Sequence, residues 1–447
     1  MLLIRHVYIS YIGHSFNCKS TIMKEVLMFA VGLILSVSGK AADNLAPWQK
    51  AAIATRFASE VKYNYAGYGN LGFDYDSLCR AELPSLVDTG SDEEFSDKLV
   101  LFANRLKDGH TGISYSADVT TAPILQKRIG DKVYVTDVFS DEYSSKGIVR
   151  GTELVAVDGI PVIDYGRGHV APFIPSSTSQ WSEYYTFNSV NLTKGYRGVP
   201  VRLTFRNHGG DTFDVVDQRR SPWGTVAPDM SITFDTLPDN IGILKIPSFK
   251  SDNFDAAAFY DLYEKKIMPT AGLIVDIRDN GGGNSSVGMM IMRLLATDSI
   301  PQAAWSTPQY EAAYASWGRK WRTMSVDSDT LIPYNMYDDD TPVYDKSVVL
   351  LVNSATFSAA EDFAVLFRNS RRGKIIGTPT GGSTGNPIVL DLGWGYYGRI
   401  CTRHERLADG TEFIGVGIQP DVSVEETESV IFGDDNVIRV ALDELSR

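Results

Sequence analysis

From about Ser231 onward, the chain repeats one pattern: a continuous apolar run, a turn, and a stretch with helical periodicity. The runs GLIVDI, from Gly272, and SVVLLV, from Ser347, are apolar at nearly every position. The stretches SSVGMMIMRLLA and AAEDFAVLFRN follow them, with apolar residues at three- and four-residue intervals. Strands that are apolar on both faces need cover on both faces, so the pattern predicts an α/β fold with a covered sheet.

Two regions of different character precede this part. From Trp48 to about Leu106 the apolar spacing is helical, and Ser91 with Glu94 in the following turn is a helix-start signal. In the next hundred residues, the stretches KVYVTDVF, TELVAVDG and PVRLTFRN alternate apolar and polar residues, which predicts antiparallel strands. We therefore expect three domains: an N-terminal helical domain (42–117), a small β module (118–220) and an α/β core (221–447).

The N-terminus is typical of a secretory signal peptide over residues 1–41, with Met23 as an alternative start. A lysine precedes a twelve-residue apolar run, Val26–Val37, and the small residues Gly39 and Ala41 follow it. The run is short for a membrane span, although an uncleaved anchor is the alternative. We predict cleavage after Ala41, export to the periplasm or the extracellular space, and no stable membrane insertion afterwards.

Charge and cysteine content exclude several classes of protein. The net charge of −13 argues against nucleic acid or an anionic membrane as the main partner, because both need a basic face. Three cysteines are too few for a disulfide scaffold, and whether Cys79 and Cys401 pair stays open. A cysteine hydrolase built on Cys401 and His404 is disfavoured, because CTRH is expected to lie in a strand, where residues three apart point to opposite faces. No histidine pair has metal-ligand spacing, so we expect no metal or cofactor.

Ser358 is the first residue with potential chemistry. It follows the apolar run Val348–Asn353 and precedes a helix that is predicted to begin at Ala359. A hydroxyl there lies beside free backbone N–H groups, which are the donors that an oxyanion requires. Ser358 and Glu361 also match a capping box, and from this segment alone capping is the favoured interpretation.

Two further segments supply the other parts of nucleophilic acyl transfer. Three glycines in DIRDNGGGNSS, residues 276–286, let backbone amides approach a ligand, although a simple tight turn fits equally well. No lysine follows them as in a phosphate-binding P-loop, which disfavours a nucleotide-binding protein. His110 lies in the turn KDGHTG, where a histidine is most often only a surface residue. A serine, amide donors and a histidine together indicate a serine hydrolase.

The order of these segments resembles one family of serine peptidases. That family includes the C-terminal processing (tail-specific) proteases, the tricorn protease core and the interphotoreceptor retinoid-binding protein. The matching segments are, in order, LKDGHTGIS, GIVRGTELVAVDGIPV, GLIVDIRDNGGG, VVLLVNSATFSAAEDFA, KIIGTPTGG and DGTEFIGVGIQPDV. The resemblance implies a crotonase-like core of ββα units, a PDZ-like module, an N-terminal helical segment, and hydrolysis of peptide or protein substrates without a cofactor.

The resemblance also implies roles for residues of the site. Ser358 matches the nucleophile, and the N–H groups of Gly282, or of Gly281, and of Ala359 match the oxyanion hole. A carboxylate near the GIQPD segment is implied to hold a histidine base. Our choice for this carboxylate is Glu412, and the alternatives are Glu405 and Asp409.

The two branches of the family differ in their general base. The processing-protease branch uses a lysine 25 residues after the serine, but that position here is Ser383, and Lys374 in the preceding strand is a poor substitute. The tricorn-like branch uses a histidine before the PDZ-like module, which His110 matches. A serine can precede the histidine in that branch, whereas this chain has Gly109.

The resemblance leaves two questions of function open. A non-catalytic peptide- or lipid-binding protein on the same scaffold is the alternative to a peptidase, since the retinoid-binding relatives carry ligands. The PDZ-like module offers a strand edge for a peptide, so recognition of substrate C-termini is a hypothesis. The oligomeric state is not predicted.

Overall fold

The computed structural model describes residues 45–220, 229–296, 299–309, 322–326, 330–331 and 341–447. The predicted signal peptide and Met23 lie outside the described residues. Among the helices of the described ranges, none has the length and the apolar content that crossing a bilayer requires.

The described residues form a mixed α/β structure with several sheets. The helices are α1 (Pro47–Asn64), α2 (Tyr75–Val87), α3 (Asp92–Asn104), α4 (Asp141–Ser145), α5 (Val162–Tyr165), α6 (Ser179–Phe187), α7 (Ala256–Leu262), α8 (Ser285–Arg293), α9 (Ala359–Ser370) and α10 (Asn436–Leu445). The strands are β1 (Gly112–Tyr115), β2 (Val119–Thr120), β3 (Ile124–Ile129), β4 (Lys132–Val138), β5 (Glu153–Val157), β6 (Ile160–Pro161), β7 (Gly195–Tyr196), β8 (Val201–Arg206), β9 (Thr212–Asp217), β10 (Thr233–Leu237), β11 (Ile241–Lys245), β12 (Gly272–Asp276), β13 (Ile300–Pro301), β14 (Ala304–Gln309), β15 (Arg322–Val326), β16 (Thr330–Leu331), β17 (Ser347–Val352), β18 (Ile375–Gly377), β19 (Ile388–Gly393), β20 (Tyr396–Ile400), β21 (His404–Arg406) and β22 (Val422–Ser423).

The repeated apolar runs form a six-stranded sheet in the order β10-β11-β12-β17-β18-β22. All neighbours are parallel except β10, which pairs antiparallel with β11 at one edge. Alternate residues of β12 face different layers: Leu273 packs with the cluster that includes Phe363 of α9, and Ile274 packs with Val437 and Ala441 of α10. This two-sided burial explains why the strand is apolar at every position but the last, and it confirms the predicted α/β fold with a covered sheet.

The alternating stretches form an antiparallel sheet in the order β3-β4-β5-β8-β9. Its buried face includes Val133, Leu154, Leu203 and Phe205, each from the inward-facing positions of its strand. Strand β3 stands at one edge of this sheet, and helix α6 packs beside it. The three strands predicted from alternation are therefore present as β4, β5 and β8.

The N-terminal helices share their core with strands from the far end of the chain. Phe57 of α1 and Phe102 of α3 pack in one cluster with Leu392 and Ile400 of β19 and β20. Helix α3 begins where the start signal predicts, with the Glu94 N–H donating to Ser91 Oγ at 3.1 Å. Strand β1 directly follows the helices and pairs with β20, so the segment just before β1 is held against the core.

Three loops gather at the carboxyl edge of the central sheet. They follow the neighbouring parallel strands β12, β17 and β18, and they cover residues 277–284, 353–358 and 378–385. Loops that follow adjacent parallel strands meet at the same edge, which is where open α/β sheets commonly bind ligands. The Ser358 turn and the three glycines therefore lie on adjoining loops.

Candidate active site

Ser358 occupies a strained turn between β17 and α9. Its backbone angles, φ 57° and ψ −125°, fall in a region that L-residues rarely adopt. The side chain makes no cap bond to α9, and its Oγ lies 3.0 Å from Nε2 of His110 instead. Only the other half of the predicted capping box forms, with the Ser358 N–H donating to the Glu361 carboxylate at 3.3 Å. The favoured capping interpretation is therefore wrong for the serine side chain, which faces the imidazole.

His110 lies between two serine hydroxyls, not on the surface. Its Nε2 faces Ser358, and its Nδ1 lies 2.8 Å from the Oγ of Ser383. The ring stacks on Phe357 with centroids 4.6 Å apart and planes 7° from parallel, and the residue is only 3% exposed. The surface-histidine interpretation is wrong, because both ring nitrogens have a partner.

The backbone around His110 is fixed by charged side chains. The Asp108 carboxylate accepts the His110 N–H at 2.9 Å. The Arg399 guanidinium donates to the carbonyl oxygens of Gly109 and His110 at 2.8 and 2.9 Å. Burial, with a smaller contribution from the Arg399 charge, holds the pKa of His110 well below its ordinary value of 6.5. The imidazole is therefore neutral at neutral pH and able to accept a proton.

The glycine loop lies directly against the serine turn. A Cβ on Gly282, where φ is 98°, would lie 2.8 Å from the Ser358 Cβ and 2.7 Å from the Phe357 oxygen. The Gly282 N–H donates to the Asn280 Oδ1 at 2.8 Å. The Gly281 N–H, by contrast, donates no hydrogen bond to any residue that the structure describes.

The Ala359 N–H completes the set of donors near Ser358. As the first residue of α9 it has no carbonyl one turn earlier to bind, and within the described ranges its N–H is not donated. Of the three amides implied by the resemblance, Gly281 and Ala359 are thus unengaged, and Gly282 is engaged by Asn280.

The Glu361 carboxylate ties the third loop to the helix start. It accepts hydrogen bonds from the Thr380 hydroxyl at 2.6 Å, the Gly382 N–H at 2.8 Å and the Ser383 N–H at 2.9 Å. Burial raises the pKa of Glu361 to about 7, although these hydrogen bonds oppose the rise. From the sequence, Glu361 is recognisable only as a capping residue, because its partners lie about 20 positions further along the chain.

Helix α6 supports His110 through a stack of aromatic rings. Trp181 of α6 stacks on Phe357 with centroids 3.7 Å apart, and Phe357 in turn stacks on His110. The Thr178 hydroxyl donates to the Gly381 oxygen at 2.8 Å. The β module therefore contacts the candidate site through α6.

The structure does not bring the preferred carboxylate, Glu412, to His110. A β-bridge between Arg406 and Glu412 turns the Glu412 side chain toward His404, whose Nε2 lies 2.8 Å away. Our choice of Glu412 as the partner of His110 is corrected by this geometry, because the Nδ1 atom faces a hydroxyl instead. The two alternatives also have other partners: Thr384 for Glu405 and Thr411 for Asp409.

The remaining candidates lie away from Ser358 or have other partners. Lys374 is exposed at the amino end of β18, opposite the edge that carries the site. Cys79 and Cys401 are both free thiols. The predicted strand through CTRH is interrupted, since β20 ends at Ile400 and β21 begins at His404. Within the described ranges, no group of three His, Cys, Asp or Glu residues could hold a metal ion.

Comparisons with known proteins find a family match in the C-terminal half of the chain. Residues 240–424 match the model of peptidase family S41. The chloroplastic C-terminal processing peptidase of Tetradesmus obliquus is 28% identical over 185 residues, which are 41% of this chain and 35% of that protein. The carboxy-terminal-processing protease of Bartonella bacilliformis is 25% identical over 244 residues, which are 53% and 50% of the two chains. This chain thus spans half or less of the length of these relatives.

The likeness in structure extends over most of the chain. The structure of mature CPAF complexed with lactacystin superposes with a TM-score of 0.68 and 15% sequence identity. The match covers 90% of this chain and 98% of that one. At this level of identity the likeness shows a shared fold.

Proposed function

The resemblance to peptidase family S41 is confirmed over residues 240–424, and from this premise we propose that the protein is a serine peptidase of peptide or protein substrates. The observation that carries the proposal is the 3.0 Å contact between Ser358 Oγ and His110 Nε2 at the carboxyl edge of the sheet. A hydroxyl within hydrogen-bond reach of a neutral imidazole is the arrangement that nucleophilic acyl transfer requires.

In the proposed mechanism, His110 accepts the Ser358 hydroxyl proton on Nε2 as the oxygen attacks the substrate carbonyl carbon. The carbonyl oxygen becomes an oxyanion, which the Gly281 and Ala359 N–H groups stabilise. When the tetrahedral intermediate collapses, His110 gives its proton to the leaving amine and an acyl-Ser358 remains. Water then attacks the ester carbonyl carbon while His110 accepts its proton, and this proton passes to the Ser358 oxygen as the bond to the acyl group breaks and the carboxylic acid leaves.

A histidine base is favoured over a lysine base by the placement of the candidates. The position of the family's lysine is Ser383, which has no amine, and Lys374 lies at the opposite edge of the sheet. Burial lowers the pKa of His110, so its imidazole is already neutral at neutral pH, whereas a lysine must be strongly desolvated to lose its proton.

We propose the same division of the chain as the sequence predicts: a signal peptide (1–41), a helical domain (42–117), a PDZ-like domain (118–220) and a crotonase-like catalytic core (221–447). The antiparallel sheet flanked by α6 supports the PDZ-like assignment, and the parallel sheet with helices on both faces supports the core. Export to the periplasm or the extracellular space follows from the signal peptide and is part of the proposal.

The test is covalent labelling with a fluorophosphonate probe, which reacts with activated serines. We expect stoichiometric labelling, with the modified peptide mapping to Ser358. Unfolding the protein by heat beforehand is expected to abolish the labelling. An unlabelled but folded protein would favour the alternative, a non-catalytic peptide- or lipid-binding protein on the same scaffold.

Recognition of substrate C-termini is proposed for the edge of β3. A peptide that joins this edge as an extra strand needs its free backbone N–H groups. One of them, the Arg128 N–H, already donates to the Asn188 Oδ1 at 2.8 Å, and the Gln126 side chain donates to the Ser189 oxygen. A bound peptide must therefore displace Asn188.

Removing this competitor is expected to strengthen peptide binding. The Asn188→Ala variant frees one N–H, and a hydrogen bond worth about 1 kcal/mol corresponds to a roughly fivefold lower Kd. Binding of peptides with a free or an amidated C-terminus is measured by fluorescence anisotropy in the wild type and the variant. A gain confined to the free-carboxylate peptide supports the proposal, whereas equal binding of both peptides contradicts it.

A further inference from the structure

Ser383 contacts Nδ1 of His110, the ring nitrogen to which the proposed mechanism gives no role. A base that accepts a proton on Nε2 carries its own proton on Nδ1, and that N–H needs an acceptor. The nearest acceptor is the Ser383 Oγ, 2.8 Å from Nδ1, in a residue that is fully buried. None of the three carboxylates that the resemblance implied faces this atom.

We propose that Ser383 is the positioning residue of His110, and that a neutral hydroxyl here takes the place of a carboxylate. The proposal rests on the proposed peptidase function and deepens it. Ser383 accepts the Nδ1–H, which selects one tautomer and directs the Nε2 lone pair at Ser358.

Two hydrogen bonds hold the backbone of Ser383 against the turn that carries Ser358. Its carbonyl accepts the Ser358 N–H at 3.1 Å, and its own N–H donates to the Glu361 carboxylate at 2.9 Å. The two hydroxyls that contact the imidazole therefore belong to residues joined by one backbone hydrogen bond. A ring held between them cannot turn without losing both contacts.

Gly109 explains why the orienting hydroxyl comes from Ser383 and not from the residue before the histidine. A Cβ on Gly109 would lie 2.9 Å from the Phe357 ring and 3.3 Å from the Ser383 Oγ. A serine at position 109 would therefore compete with Ser383 for the same space. This chain has a glycine where the tricorn-like branch can have a serine. The Ser383 side chain, from the loop of residues 378–385, lies beside that position instead.

The first test measures the tautomer of His110 directly by ¹⁵N NMR at neutral pH. The proposal expects a wild-type histidine protonated on Nδ1 alone, and a mixture of tautomers in Ser383→Ala. This readout does not need catalysis, and the wild-type spectrum suffices if the variant fails to fold. A wild-type His110 protonated on Nε2 overturns the proposal.

The second test follows the rate of fluorophosphonate labelling against pH. Ser383→Ala is expected to lower the labelling rate about 10- to 100-fold, which is the usual effect of removing the hydrogen-bond partner that orients a metal-ligating histidine. In the wild type the labelling rate is expected to fall only below pH 6.5 (the acid limb of the pH profile), because only the neutral imidazole is a base and burial lowers the pKa of His110. Ser383→Asp is expected to move this limb to higher pH, since an adjacent negative charge stabilises the imidazolium.

The neighbouring residue gives a matched control. Thr384 is also buried, but its hydroxyl donates to Glu405 at 2.7 Å and does not contact the imidazole. Thr384→Val keeps the shape and is expected to label at nearly the wild-type rate. Ser383→Ala that labels as fast as Thr384→Val, with an unchanged acid limb, refutes the role of Ser383. A wild type that never labels refutes the peptidase function and leaves the tautomer measurement to decide on Ser383.

Discussion

Replacing Ser358 by alanine is expected to lower kcat/KM for a peptide substrate by about 10⁵-fold or more. The variant removes the attacking oxygen, and no other hydroxyl lies within hydrogen-bond distance of His110 Nε2 among the described residues. Hydrolysis of an unstructured protein such as casein, followed by mass spectrometry, measures the loss. Undiminished hydrolysis would refute Ser358 as the nucleophile.

The His110→Ala variant and the double variant show whether the two residues act as one unit. Removal of the base alone is expected to cost nearly as much as removal of the serine, and the double variant no more than either. Costs that multiply in the double variant would mean that His110 and Ser358 act independently. Unchanged thermal unfolding of Ser358→Ala is the control that the fold is intact, because among the described residues the Ser358 Oγ forms a hydrogen bond with His110 alone.

Replacing Gly282 by alanine is expected to lower kcat about 10²- to 10³-fold, which is the usual effect of losing one oxyanion donor. The added Cβ would lie 2.7 Å from the Phe357 oxygen and 2.8 Å from the Ser358 Cβ, so the glycine loop must move away from the nucleophile. The Gly281 N–H moves with this loop. KM is expected to change much less than kcat, because the oxyanion forms only after attack.

Gly393 offers a control with a similar positive φ in open space. Its φ of 89° is close to the 98° of Gly282, but a Cβ there meets no described atom within 4 Å. Gly393→Ala should cost roughly 1–2 kcal/mol of unfolding free energy from the left-handed backbone alone, with kcat unchanged. A Gly282→Ala variant with wild-type kcat and only this stability loss would show that the close approach to Ser358 has no catalytic consequence.

The central sheet was predictable because its cause is local. Leu273 and Val275 of β12 pack in one layer and Ile274 packs in the other, so burial on both faces appears in the sequence as a continuous apolar run. The sharing of one core by α1, α3 and β20 was not predictable, because the amphipathic face of a helix does not indicate which distant strand covers it.

The residues of the candidate site also differ in how far the sequence predicts them, according to whether their cause is local or distant. Ser358 and His110 lie in short motifs whose resemblance to a family was visible. In the sequence Ser383 stands out only as the position of a missing lysine, because a buried hydroxyl has no sequence signature. Glu412 is near a motif along the chain, but a single β-bridge with Arg406 directs its side chain elsewhere. Arg399 lies 289 residues after His110, and only the pairing of β1 with β20 brings them together.

That pairing also determines when the site can first exist during synthesis. His110 is synthesised 248 residues before Ser358, and it is held in place by β20, which follows both Ser358 and Ser383 along the chain. A chain that stops short of Arg399 contains the base without its support, and a fragment that begins after His110 contains the nucleophile without a base. The proposed chemistry therefore requires one chain that contains both His110 and Arg399, and a fragment that lacks either residue is expected not to hydrolyse peptides.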